Sequence, residues 1–224
     1  MANRSEKKKT VDEQLACLIL KHQYPEQFNG LQHIGKNKSP DLQDHDTSVG
    51  LEVTTAISNR ECGSLYDKYC EEIILGDKKR EVDSKLLKNY SWFYYDEKGR
   101  VKYMYSNTMR DISPAQLSEL AGEDIISIGY KKIDKLNKGH YERFRTNGLF
   151  IFADNRASVS TIWRNMNIIA KYQKERPRAF DRFYILREDK LFVFNEEGIC
   201  IGNPEVSNLG NLRLQAEDIV GLNS

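Results

Sequence analysis

PDLQDHDTSVGLEVTTAI, residues 40–57, decides how the rest of the chain is read. Pro40-Asp41 opens it, a polar turn follows, and an alternating stretch resumes with Glu52 and Thr54. A hairpin folded about Asp46-Thr47 sets the register by addition, because the pairs Asp41/Glu52 and Leu42/Leu51 share one centre. Strand side chains alternate between faces. Leu42, Val49, Leu51, Val53, Thr55 and Ile57 then form a core face, while Asp41, Gln43, Gly50, Glu52, Thr54 and Ala56 form the other. Asp41 and Glu52 oppose each other directly. Like charges so placed destabilise a strand pair, whose Cβ atoms lie about 5 Å apart, so a positive group between them is expected. A hard divalent cation suits best, since Mg²⁺ takes one or two carboxylates and keeps its other positions for water and phosphate oxygen.

The pattern resembles the PD-(D/E)xK nuclease superfamily, whose signature is Pro-Asp at the start of one strand and Glu-x-Lys on the next. Pro40-Asp41 matches, Glu52 matches the acid, and Val53 fills the buried spacer. Thr54 stands where lysine is expected. In the family that lysine positions the attacking water, and some members replace it or supply it from a neighbouring helix. The resemblance implies an α/β fold of restriction-endonuclease-like type: an αβββαβ core whose mixed central sheet is flanked by helices, covering residues 10–58 and 113–187. It also implies a metal-dependent nuclease acting on nucleic acid, DNA in the first instance. Asp41 and Glu52 would bind Mg²⁺ or Mn²⁺, with the Val53 carbonyl as a further ligand. Thr54 would line the water pocket, and Glu13 would assist, because a first-helix glutamate often joins the metal site in the family.

Other readings stand beside these. Thr10-Val11-Asp12-Glu13 has the Thr-x-x-Glu form of a capping box, which gives Glu13 a purely structural role. With Thr54 in the lysine position, the chain could be a catalytically silent module that kept the fold and binds nucleic acid or a protein partner. If the match is chance, Asp41 and Glu52 are solvated carboxylates at a sheet edge.

Length and composition set the frame. A chain of 224 residues, 39% hydrophobic and 30% charged, suits one globular domain spanning 1–224. No apolar run approaches the ~18 residues of a membrane span, and the basic N-terminus lacks the apolar stretch of a signal peptide. A cytoplasmic protein without membrane contact is expected. Cys17, Cys62, Cys70 and Cys200 show no zinc spacing and read as ordinary thiols, with Cys17 buried. Net charge is only +1, so phosphate contacts must come from local patches. Lys36 and Lys38 precede Asp41 closely, and Lys131, Lys132, Lys135 and Lys138 crowd one later helix. Each set is a candidate nucleic-acid contact or a solvated surface, and Lys132 or Lys135 could return the missing cation to the site. Lys68 is a further candidate for that cation.

Along the chain, residues 1–9 read as a mobile basic tail and a helix runs from Thr10 to about His22. A loop at 24–30 leads to a short strand, Leu31 to Ile34. Residues 65–75 read as a helix and 77–112 as an insertion. The insertion carries a hairpin, Tyr90–Tyr95 with Val101–Tyr105, whose aromatics suggest base stacking, core packing or a homodimer contact. A short helix from Pro114 to Leu120 and a longer one from Glu123 follow, then an apolar strand at Leu149–Ala153. A helix at 158–175, a strand at Phe183–Leu186 and a last hairpin around Glu196-Glu197-Gly198 complete the pattern. Strand–helix–strand is the order a crossover between parallel strands requires. The histidines lack metal spacing, with His45 at the hairpin tip, and residues beyond Asn203 carry no functional signal.

Overall fold

The computed structural model describes residues 4–35, 39–56, 93–95, 101–103, 114–138 and 141–221. They form an α/β protein with a seven-stranded mixed sheet. Its strands are β1 (Gln32–His33), β2 (Leu42–Asp44), β3 (Val49–Ala56), β6 (Thr146–Ala153), β7 (Arg182–Arg187), β8 (Lys190–Asn195) and β9 (Cys200–Gly202), adjacent in that order. Strands β4 (Phe93–Tyr95) and β5 (Val101–Tyr103) pair separately and antiparallel. The helices are α1 (Arg4–Gln23), α2 (Pro25–Phe28), α3 (Pro114–Leu136), α4 (Val159–Gln173) and α5 (Leu209–Val220).

The register of the β2–β3 hairpin is the one the sequence predicts: Leu42 pairs with Leu51, Gln43 with Gly50 and Asp44 with Val49. Asp44 closes its turn by accepting from the backbone N–H groups of Asp46 and Thr47, the local bonding that favours Asp in turns. The pattern reverses at β3, which pairs in parallel with β6, as β6 does with β7. Helix α4 makes the β6–β7 connection, and Ser158 caps it by accepting from Thr161 N–H.

Both faces of the sheet are covered, which is why the central strands are apolar throughout. Phe150 and Phe152 of β6 pack on one side with Leu15, Ile19, Leu42, Leu51 and Val53. Leu149 and Ile151 pack on the other with Ile125, Ile133, Ile162 and Ile169. On α1 the buried positions Val11, Leu15, Ala16, Ile19 and Leu20 repeat at helical spacing.

Several expectations need correction. Helix α1 begins at Arg4, so residues 4–9 belong to a helix rather than a tail and Thr10-to-Glu13 is no capping box. The 24–30 loop contains the helical turn Pro25–Phe28, with Pro at its first position. Residues 114–136 form one helix, with Gly122 inside it rather than at a break. The C-terminal segment forms α5, whose Leu212 and Ala216 are buried with α1 in the same core. Cys17 is buried as expected. The 65–75 helix, Lys68, Lys36, Lys38 and the 77–112 insertion apart from its two strands lie outside the described residues. Among the described residues, no helix is long and apolar enough to cross a membrane.

Candidate functional site

Asp41 sits one residue before β2 and Glu52 in the middle of β3, across from each other in the hairpin register. They are 6% and 0% exposed, which overturns the reading of solvated carboxylates at a sheet edge. Buried charge is held only where partners compensate it, and the two acids find theirs on different helices.

Glu52 is met by α3. Lys132 Nζ and Lys135 Nζ both donate to Glu52 Oε1 at 2.6 Å. Spacing i,i+3 puts the two lysines on one helix face. Burial pushes the Glu52 carboxyl up, but the charge and hydrogen bonds of Lys132 and Lys135 bring it net below its ordinary value. Glu52 Oε2 is buried. Tyr141 stands beside this carboxylate, with its hydroxyl buried against it. Burial, then the charges of Glu52 and Asp41 and the hydrogen bond to Glu52, raise the Tyr141 proton affinity far above the ordinary phenol.

Asp41 is met from β3 and α1. Its Oδ2 accepts from Val53 N–H at 2.9 Å, and its Oδ1 lies 3.5 Å from Lys9 Nζ. Burial, then the Glu52 charge, push the Asp41 carboxyl up to about 6, against the Val53 hydrogen bond and Lys9. The N–H and C=O of one strand residue point toward the same edge. The Val53 carbonyl therefore faces the Asp41 side, past the start of β2.

Glu13 lies on α1 behind Asp41, bonded to Lys9 at 3.0 Å and to His33 Nε2 at 2.8 Å. Burial pushes its carboxyl up, and the His33 and Lys9 contacts bring it net down. Lys9 joins the two acids through Glu13 Oε1 and Asp41 Oδ1. Thr54 shares the strand face of Glu52 and is half-buried. Lys131 and Lys138 are exposed, so the lysine group on α3 divides between solvent and Glu52. Sequence reasoning missed Lys9, His33 and Tyr141. The i,i+4 spacing of Lys9 and Glu13 was the one available signal, and it was hidden by reading residues 1–9 as a tail.

Among the described residues, no three His, Cys, Asp or Glu side chains form a group that could hold a metal ion by themselves. The acids converge as a pair. That donor set fits Mg²⁺ or Mn²⁺, which accept few carboxylates and complete their coordination with water and phosphate oxygen. The Asp41 carboxyl, pushed up by burial and then by the Glu52 charge, marks a place where added positive charge is favourable. In comparisons with known proteins, no family model, curated protein or solved structure matches this chain.

Proposed function

We propose that the chain is a metal-dependent nuclease that hydrolyses phosphodiester bonds in nucleic acid, DNA first among candidates. The observation that carries the reading is the pair of ammonium groups brought by α3 to Glu52, two residues along the strand from Thr54. They supply from a helix the cation that Thr54 does not supply from the strand. With the helical turn α2 and the separate β4–β5 pair set aside, the order α1, β1, β2, β3, α3, β6 also supports the αβββαβ core of the resembled superfamily.

Asp41 and Glu52, with the Val53 carbonyl, would hold Mg²⁺ or Mn²⁺. Such an ion, when bound, polarises the phosphoryl group and lowers the pKa of water. Lys132, with its side chain 17% exposed, is fixed against Glu52 and steadies charge beside the attacking water. Lys135, at 43%, can turn toward a phosphate oxygen of the substrate. Glu13 and His33 position Lys9, which balances Asp41. The net reaction consumes one water: its oxygen bonds to phosphorus, the bond to the leaving ester oxygen breaks, and a water proton ends on that oxygen.

The test is cleavage of single- and double-stranded DNA and RNA with Mg²⁺ or Mn²⁺ by the wild type, Asp41→Asn and Glu52→Gln. Cleavage by the wild type alone is expected. Equal cleavage by both purified variants overturns the assignment. Salt-sensitive binding without cleavage would instead identify the silent nucleic-acid-binding module.

A further inference from the structure

Of Lys9, Lys132 and Lys135, Lys9 has the most exposed side chain and the loosest contact with its strand acid. That side chain is 52% exposed, and Nζ stands 3.5 Å from Asp41 Oδ1, outside the range of a good hydrogen bond. Lys132 and Lys135 reach Glu52 Oε1 at 2.6 Å. The firmer hold on Lys9 is Glu13, four residues on along α1, whose Oε1 lies 3.0 Å from the same nitrogen. Glu13 is itself fixed, because its Oε2 is bonded to His33 Nε2 at 2.8 Å. Lys9 is thus tethered to one acid and only in ionic contact with the other.

The contact with Asp41 falls on the oxygen a metal would want. Asp41 Oδ2 gives a lone pair to Val53 N–H at 2.9 Å, while Oδ1 faces the Lys9 ammonium. Burial works against the Lys9 charge, but Asp41, then Glu13 and Glu52, outweigh it and hold the ammonium protonated. Lys9 therefore already sits in the field of the two carboxylates that would bind the cation. Two cations on one carboxylate repel each other, and the half-exposed lysine on its flexible stem is the one able to move. On leaving Asp41 it keeps Glu13, so it stays at the rim of the site. The anion that a nucleic-acid substrate offers there is a phosphate oxygen.

We propose that Lys9 is an exchangeable counterion, which holds the place of the divalent cation at Asp41 and passes to a substrate phosphate when the cation arrives. This rests on the nuclease reading above for the identity of both ligands. The exchange couples two binding events. The cation frees the ammonium for the phosphate, and the phosphate keeps the ammonium from competing for Asp41. By linkage, each ligand then tightens the binding of the other.

The test compares the full-length wild type with Lys9→Met, which keeps an apolar stem and removes the charge. Calorimetric titration of Mn²⁺ at pH 8 without nucleic acid should show about fivefold tighter binding by the variant, the worth of a half-exposed ion pair. With Mn²⁺ saturating, a non-cleavable DNA analogue should bind the variant more weakly, and the salt slope of its affinity should fall by about one. Wild-type crystals with Mn²⁺ should show Lys9 Nζ more than about 4 Å from Asp41 Oδ1, the limit of an ion pair, and still on Glu13. Cation affinity that is equal or weaker in Lys9→Met, an unchanged salt slope, or a bound ion with Lys9 still on Oδ1 overturns the exchange. If the wild type nevertheless cleaves nucleic acid with Mg²⁺, the nuclease reading stands. A wild type that neither binds Mn²⁺ nor cleaves overturns both together.

Discussion

Asp41 concentrates the conflict between folding and function in one side chain. Its carboxyl is raised from 3.8 to about 6, chiefly by burial and then by Glu52. A folded pKa above the unfolded value means that ionisation is harder in the native state. The resulting penalty is absent below about pH 3.8, grows through the window, and is fully present above about 6. A shift of that size corresponds to about 3 kcal/mol. Asp41→Asn should therefore stabilise the fold at pH 8 by about 1–3 kcal/mol, and urea unfolding should show the gain closing as pH falls toward 4. The same variant should bind no Mg²⁺. In the wild type, Mg²⁺ affinity should rise as pH rises through about 6, because the cation needs the ionised form. The lysines make the complementary case. Replacing both Lys132 and Lys135 by Met leaves Glu52 buried without its partners, and should cost about 3–5 kcal/mol. Adding Glu52→Gln should recover much of that loss.

At the scale of elements, α3 decides whether the site exists, because it brings both lysines to the sheet. Its distance from α4 is set where Gly122 lies against that helix: a Cβ there would stand 2.4 Å from Thr161 Cγ2 and from Asn165 Nδ2. Gly122→Ala gains helix propensity but forces the helices apart. A loss of about 1–3 kcal/mol is expected from the overpacking, with cleavage reduced more than Mg²⁺ binding. The Asp41/Glu52 hairpin was legible in the sequence because a two-residue period and a turn leave one register. The apolar 149–153 run was legible because a doubly covered strand needs no polar face. Helix α3 was read as two pieces because Gly122 looks like punctuation, whereas here it permits close packing. Lys132 and Lys135 could be named as candidates but not placed, since a helical period says nothing about which distant strand it will meet. Tyr141 left no signal, because its partners Glu52 and Arg178 are both far from it in sequence.

Across the whole molecule, the sheet is a partition with a helical layer on each face, and the site draws on both. Lys9 and Glu13 come from α1, while Lys132 and Lys135 come from α3. Helix α5 braces α1 and escaped the sequence reading because only Leu212 and Ala216 of its residues are buried. Leu212→Ala should cost about 2–3 kcal/mol in chemical denaturation, and should weaken Mg²⁺ binding only where unfolding begins to compete. The central claim is that Asp41 and Glu52 form a cation site to which α3 returns the missing lysine. Its most direct test is calorimetric titration of Mg²⁺ and Mn²⁺ into the wild type, Asp41→Asn and Lys132→Met at pH 8, with a non-cleavable nucleic-acid analogue bound. The account predicts one site per wild-type chain, lost in Asp41→Asn and retained in Lys132→Met. Indistinguishable binding by the wild type and Asp41→Asn, or no binding to the wild type with the analogue present, would contradict it.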